Sequence, residues 1–290
     1  MATVALGRRE RPLAVRQTTD RGLLRSFLER ERLFAAYAIC DLEDREFPRT
    51  RWGMAFDGDQ PIAVGLEYSG LTPQPLFLMG SPSGIEAILR EVLRPRAAFT
   101  AVMPEHLAAL SSVYRVDPGP QMVRMWVDGT RFLPIRADVE RLGPGDVGEL
   151  NRLYHLGFAS WLPGSSIVDG VYYGIRIGGR LVSAAGTHVI SPAARLGVVG
   201  NVLTHVDHRG RGYAAAVTAA VTAELLLTCD QVVLNVRSDN PPALQAYRRI
   251  GYAEHVRFEE RLIHRIGPPW AGLTRPLRRL FRATKENDQS

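Results

Sequence analysis

The apolar positions of this chain change period several times, and each change marks an element. Leu23 to Leu33 (L-L-R-S-F-L-E-R-E-R-L) carries apolar residues at helical spacing and predicts an amphipathic helix, with residues 1–18 as an arm before it. Trp52 to Phe56, Pro61 to Tyr68 and Leu76 to Met79 predict strands, the first two joined at Asp57-Gly58-Asp59. Ser83 to Leu93 predicts a helix, with Ser83 as candidate cap and Glu86 placed for a capping box. A strand at Ala98 to Val102, a helix at Pro104 to Val113 and a closing strand at Met122 to Val127 follow.

After the junction Asp128-Gly129-Thr130 the alternation starts again. Phe132 to Val139 predicts a strand, and Gly145 to Leu156 a helix with Asp146 favourable in its first turn. Phe158 to Val168 shows no period and reads as irregular. Val171 to Ile177 and Leu181 to Ile190 predict a hairpin across Gly178-Gly179, and Leu196 to Thr204 a further strand. A glycine turn opens an alanine-rich helix at about Gly210 to Leu227; then come a strand at Gln231 to Val236, a helix at Pro241 to Ile250 and a final pair of strands through His264, closed by Pro268-Pro269. The reading is two α/β domains, residues 1–130 and 131–267, with a basic tail over 268–290.

The stretch from Val202 to Gly251 carries the chemistry. An extended apolar segment ends at Thr204 and is followed by H-V-D-H-R-G-R-G-Y-A, a turn whose successive backbone N–H groups and open helix N-terminus suit a phosphate-bearing ligand. Gly210 and Gly212 allow close approach to the main chain. A Walker A reading fails because no lysine is present. A dinucleotide fingerprint fits Gly210, Gly212 and Ala215, but it requires an acidic residue about 20 positions on, and the next strand ends in Asn235-Val236-Arg237.

The order R-x-x-G-x-A (Arg209 to Ala214), a strand, then N-x-x-A-x-x-x-Y-x-x-x-G (Asn240, Ala243, Tyr247, Gly251) resembles the GNAT superfamily of acyl-CoA-dependent N-acetyltransferases. The resemblance covers about Arg136 to His264. The element order of residues 1–130 is GNAT-like too, but the turn Gly80-Ser81-Pro82-Ser83-Gly84 lacks the arginine and the spacing, so this half reads as a degenerate copy walling the acceptor cleft. The resulting fold class is α/β (α+β): two GNAT-like domains, each a mixed, mostly antiparallel sheet flanked by helices.

The resemblance implies acetyl-CoA as cofactor, held by Val202, Leu203, Thr204, Arg209, Gly210, Arg211, Gly212, Tyr213, Ala214, Ala215 and Asn240, with the Leu203 amide polarising the thioester carbonyl. It places Tyr247 at the proton-donor position, where a phenol of pKa near ~10 can protonate a thiolate whose acid has a pKa near ~8.5. Asn240 also suits a helix cap, and Tyr247 a packed helix face. Asn235 stands where many members have a glutamate base, and an amide takes no proton at neutral pH. His188, His205, Glu259 and Glu260 are substitutes, none assigned, and Trp161 is a candidate for the acceptor wall. The implied function is transfer of an acetyl or short acyl group to a primary amine by direct attack. The alternatives are a bulkier acyl-CoA with an amino-acid acceptor, or a CoA-binding module without turnover.

Charge changes this picture little. The net +6 has an uneven source: residues 1–130 hold 16 basic and 16 acidic residues, 131–267 hold 15 against 12, and 268–290 hold 5 against 2. Excess positive charge around the second half suits an anionic cofactor. The basic residues are scattered, which argues against nucleic acid. No apolar run reaches the ~20 residues of a membrane span, no signal-peptide core follows Arg8, Arg9 and Arg11, and Cys40 and Cys229 have no metal-ligand spacing. A cytoplasmic, metal-free enzyme is expected.

Overall fold

The computed structural model describes residues 13–155 and 164–267. Its first half runs β1 (Ala14–Gln17), α1 (Arg21–Leu28), α2 (Ala36–Cys40), β2 (Thr50–Asp57), β3 (Gln60–Tyr68), β4 (Pro75–Gly80), α3 (Pro82–Glu91), β5 (Ala97–Val102), α4 (Leu107–Ser111), β6 (Tyr114–Val116) and β7 (Gln121–Asp128). The second half runs β8 (Glu140–Arg141), α5 (Val147–His155), α6 (Gly164–Asp169), β9 (Tyr172–Ile177), β10 (Arg180–Ser191), β11 (Leu196–Thr204), α7 (Tyr213–Leu225), β12 (Gln231–Arg237), α8 (Pro241–Arg249) and β13 (Ala253–Arg265).

All these strands join one sheet, in the order β1-β2-β3-β4-β5-β13-β7-β12-β11-β10-β9-β8, with β6 beside β13. Pairing is antiparallel except at β4–β5 and β11–β12. The order reads the same from both ends: β1 to β5 mirror β8 to β12, and the antiparallel seam β13–β7 lies at the centre. Each half contributes its last strand to the other half's side of that seam. Met122 to Asp128 of β7 pairs with all of β12, while Glu259 to His264 of β13 pairs with β5. The expected mixed sheets are thus present, but they are one continuous sheet.

Helices cover both faces. On one face α3 and α4 pack on the first half through Ile85, Ile88 and Leu110, and α7 and α8 on the second through Val217, Val221 and Leu244. On the other face lie α1 and α2, over Trp52, Met54, Leu196 and Phe258, and α5, over Tyr172 and Ala184. Strand β12 (Q-V-V-L-N-V-R) reads as an almost unbroken apolar run because it is central and covered on both sides. Helix α7 (Y-A-A-A-V-T-A-A-V-T-A-E-L) is apolar nearly all round because it is wedged between sheet and α8, and its small side chains allow a close approach.

Several expectations need correction. Ala14–Gln17 belongs to a strand on β2 rather than to an arm. The cap of α3 is Ser81, which accepts the Gly84 N–H at 3.1 Å, and Glu86 pairs with Arg90 instead of closing a capping box. Residues 132–139 form no strand: Leu133 N–H donates to the Ile250 carbonyl, and the segment runs beside α8 as a strap. Part of the irregular stretch is the helix α6, and the final pair of strands is the single long β13. Trp161 and the tail 268–290 lie outside the described residues.

Candidate functional site

The site is built where β11 and β12 part. Their parallel pairing runs from Leu196↔Gln231 to Val199↔Leu234 and stops, although β11 continues to Thr204 and β12 to Arg237. Beyond Val199 the two strands diverge. On its other edge β11 stays bound to β10 through Gly186↔Gly200, Ala184↔Leu203 and Ser183↔Thr204. The register skips between Ala184 and Gly186, and Asn201, with φ of 53°, occupies this bulge.

Peptide groups along a strand alternate sides, which settles which of them face the gap. His205 N–H donates to Val182 O on the β10 side at 2.8 Å, and Ser183 Oγ donates to Leu203 O at 3.3 Å. Leu203 therefore turns its peptide groups toward β10. Val202 and Thr204 turn theirs toward the gap, where Thr204 O accepts Arg209 Nε at 3.3 Å. The side chains also divide: Val202 packs with the α7 layer, Leu203 with the α5 layer, and the buried Thr204 hydroxyl meets Ser183 Oγ at 2.8 Å.

At the end of β11 the turn delivers Gly210 and Gly212 with φ of 75° and 80°, left-handed backbone that explains both glycines. Gly212 is the N-cap of α7 and has no side chain to cap with, and the first intrahelical bond is Ala216 N–H to Gly212 O at 3.1 Å. The N–H groups of Tyr213, Ala214 and Ala215 are thus the helix's orphan donors, at its positive end. Arg209 and Arg211 are exposed beside them. Along the flank of α7 a groove of about 440 Å³ is lined by Gly212, Tyr213, Arg136, Arg176, Arg211 and Arg249. Arg176 is neutralised by Glu140, Asp146 and Glu149, whereas Arg136, Arg211 and Arg249 have no ion-pair partner among the described residues. Parted strands leading to orphan donors and free guanidinium groups fit the pantetheine arm and phosphates of CoA.

The corresponding turn of the first half is closed. Ser81 Oγ caps α3, Pro82 removes an N–H, and His106 Nε2 lies 3.0 Å from the Gly80 carbonyl. Burial holds the His106 imidazole below its ordinary pKa, against the bond to Gly80.

Tyr247 lies on α8, buried in the α7/α8 layer with 6% of its surface exposed, its ring 6.2 Å from that of Tyr252. Its hydroxyl has no hydrogen-bond partner among the described residues, and burial pushes its pKa up to about 12. Tyr252 instead bonds Thr222 at 2.8 Å. Asn240 Oδ1 accepts the Ala243 N–H at 3.2 Å and caps α8.

The four substitutes for the missing base separate. His205 Nδ1 accepts the Asp207 N–H at 3.3 Å, and Glu259 pairs with Arg261, so both serve local structure. Asn235 Oδ1 accepts Arg124 Nε at 2.9 Å. Arg124, buried on β7, also donates to the carbonyls of Leu33 and Phe34. Burial raises the pKa of Glu260, which Arg124 partly offsets. His188 lies with its Nδ1 2.7 Å from the Tyr37 hydroxyl and its Nε2 3.2 Å from Asn201 Oδ1. Tyr37, Arg124 and Asn201 escape sequence reasoning. Only Gly200-Asn201 inside an apolar strand signals the bulge, and nothing local brings α2 to it.

A family model described as FR47-like protein matches residues 172–262, which span the hairpin, the parted strands and β13. No curated protein matches the chain. Among solved structures, a GNAT-family protein from Novosphingobium aromaticivorans is 25% identical with a TM-score of 0.51, covering 66% of this chain and 84% of that one. A GCN5-related N-acetyltransferase from Sphaerobacter thermophilus superposes with a TM-score of 0.60 at 16% identity, over 88% and 97%. A tandem GNAT protein from the clavulanic acid biosynthesis pathway gives 0.52 at 14%, over 89% and 99%. The chain has the fold of the GNAT superfamily and is similar to its members. Its fold supports acyl transfer as the class of chemistry, and among the described residues no helix is long and apolar enough to cross a membrane.

Proposed function

We propose that the protein is an N-acyltransferase that moves an acetyl or other short acyl group from CoA to a primary amine by direct attack, and that its second half carries the reaction. The observation that supports this reading is the parting of β11 and β12 after Val199 and Leu234, directly before an uncapped α7 N-terminus. Acetyl-CoA supplies the activated thioester. The orphan N–H groups of Tyr213, Ala214 and Ala215, with Arg209 and Arg211, hold the phosphates, and the free edge of β11 at Val202 and Thr204 orients the arm. The Val202 N–H, rather than the Leu203 N–H, is the donor that faces the developing oxyanion. Tyr247 protonates the leaving sulfur, its phenol kept protonated by burial. The first half, with its α3 terminus capped by Ser81, walls the acceptor side and binds no CoA of its own. The setting is cytoplasmic.

Calorimetric titration with acetyl-CoA, longer acyl-CoAs and NADPH tests the reading, followed by a thiol-release screen of primary amines. Selective binding of acetyl-CoA at one site per chain is the expected result. Binding of no CoA would leave only a shared fold.

A further inference from the structure

Between α2 of the first half and the bulge of β11 runs a chain of hydrogen bonds that the cofactor grip does not use. The Tyr37 hydroxyl lies 2.7 Å from His188 Nδ1, His188 Nε2 lies 3.2 Å from Asn201 Oδ1, Asn201 Nδ2 lies 3.1 Å from the Tyr172 hydroxyl, and that hydroxyl lies 3.0 Å from the Thr187 carbonyl. The carbonyl end fixes every donor. Tyr172 has one proton and gives it to Thr187, so Asn201 must donate its amide N–H to Tyr172 and present Oδ1 to His188. His188 then carries its proton on Nε2, and its Nδ1 lone pair accepts from Tyr37. A flipped Asn201 amide would require the Tyr172 proton twice.

The strands are carved to hold these rings. Gly186 and Gly200 face each other across β10 and β11. A Cβ at Gly200 would lie 2.2 Å from His188 Nε2, and one at Gly186 would lie 2.0 Å from a Tyr172 ring carbon. Tyr154 donates to the Asn201 carbonyl at 2.6 Å and fixes the bulge from α5. Asn201 is one residue, about 3.3 Å of strand, before the Val202 amide that faces the gap. Tyr37 approaches from the α1/α2 layer, whereas Tyr247 sits in the α7/α8 layer on the opposite face of the sheet. An acid on one face of the opening and a hydrogen-bonded acceptor pair on the other is the arrangement that direct attack requires.

We propose that Tyr37 and His188 act together as the proton acceptor for the attacking amine, a role that rests on the acyl-transfer reading above. As the N–C bond forms and the C–S bond breaks, the N–H proton passes to Tyr37 Oη while the phenolic proton passes to His188 Nδ1. The resulting imidazolium keeps its Nε2 proton on Asn201 Oδ1. The thiolate takes a proton from Tyr247, and both groups return to their starting state by exchange with solvent, so protons balance. Tyr37 touches the substrate; His188 acts through it. His188 is exposed on its outer side, while the protein packed around its ring disfavours the charged form, against the bond to Asn201, so its pKa lies below the ordinary histidine value. Among the described residues no charged group is paired with it. Tyr172 from β9 and Tyr154 from α5 bond its partner Asn201, and Arg124 from β7 and Glu260 from β13 act on Tyr37 in opposite directions. Burial keeps the Tyr37 phenol protonated.

The test is the pH dependence of kcat with acetyl-CoA and the fastest primary amine of the thiol-release screen, on the full-length protein. Wild type should lose activity on the acid side along a limb below the ordinary histidine range. His188→Gln should lower kcat roughly 100-fold or more and abolish that limb, while acetyl-CoA affinity, which also reports folding, stays within about twofold. Tyr37→Phe should lower kcat at least tenfold and keep a limb, since His188 remains. An acid limb that survives in His188→Gln, or wild-type kcat in Tyr37→Phe, overturns the pair while leaving acyl transfer standing. A wild-type protein that releases no thiol with any amine overturns both.

Discussion

A phenol and an amide show how much a single residue owes to its surroundings. The proposed proton donor, Tyr247, is legible only through the asparagine–alanine–tyrosine–glycine spacing, but its raised pKa comes from burial, which no local sequence shows. The sign matters. A phenol pushed up to about 12 keeps its proton through the neutral and mildly alkaline range, so the pH profile of kcat should show no alkaline loss from Tyr247 there. Tyr247→Phe should lower kcat on the order of 100-fold with acetyl-CoA binding intact, read by stopped assays at saturating cofactor. Unchanged turnover in that variant would remove Tyr247 from the mechanism. Asn235 shows the opposite case. Its chemistry as an amide is plain from the letter, but only the fold pairs it with Arg124, a buried cation that also grips the chain after α1.

At the scale of elements, the β11–turn–α7 unit was the most legible part of the protein. Left-handed backbone at Gly210 and Gly212 requires glycine, and an alanine-rich run requires a helix that packs closely, so the pattern and the structure agree to within a few residues. Gly212→Asp places a side chain on φ of 80° and a negative charge at the orphan donors of α7. It should weaken acetyl-CoA binding at least tenfold by calorimetry, and binding at wild-type affinity would show that the phosphates lie elsewhere. Residues 132–139 show where a pattern misleads. Their apolar positions suit a strand, but the neighbouring edges are already paired, and the segment becomes a strap that bonds Ile250. Likewise Ser81, not Ser83, caps α3, because Pro82 suits the first helical position and only the residue before it can bend back to Gly84.

For the whole molecule the consequence lies at the seam. Strand β7 fills the space between β12 and β13, and β13 that between β5 and β7, so neither half closes its own sheet. Residues 131–290 produced alone should expose the unpaired edge of β12 and aggregate, whereas the two halves produced together should recover one soluble, monomeric-sized complex on gel filtration. A soluble, folded second half on its own would mean the exchanged strands are dispensable. The sequence by itself determined the period of nearly every element, the GNAT order of the second half, the glycine turn before α7 and the place of Tyr247 on α8, because these depend on local spacing and on backbone geometry that favours glycine. The exchange of last strands, the side to which Leu203 turns its amide, and the meeting of Tyr37 with His188 across a sequence separation of 151 were decided only by tertiary structure. Strand order, register and contacts between layers depend on which edges and faces remain free once everything else has packed, and no window of sequence contains that information.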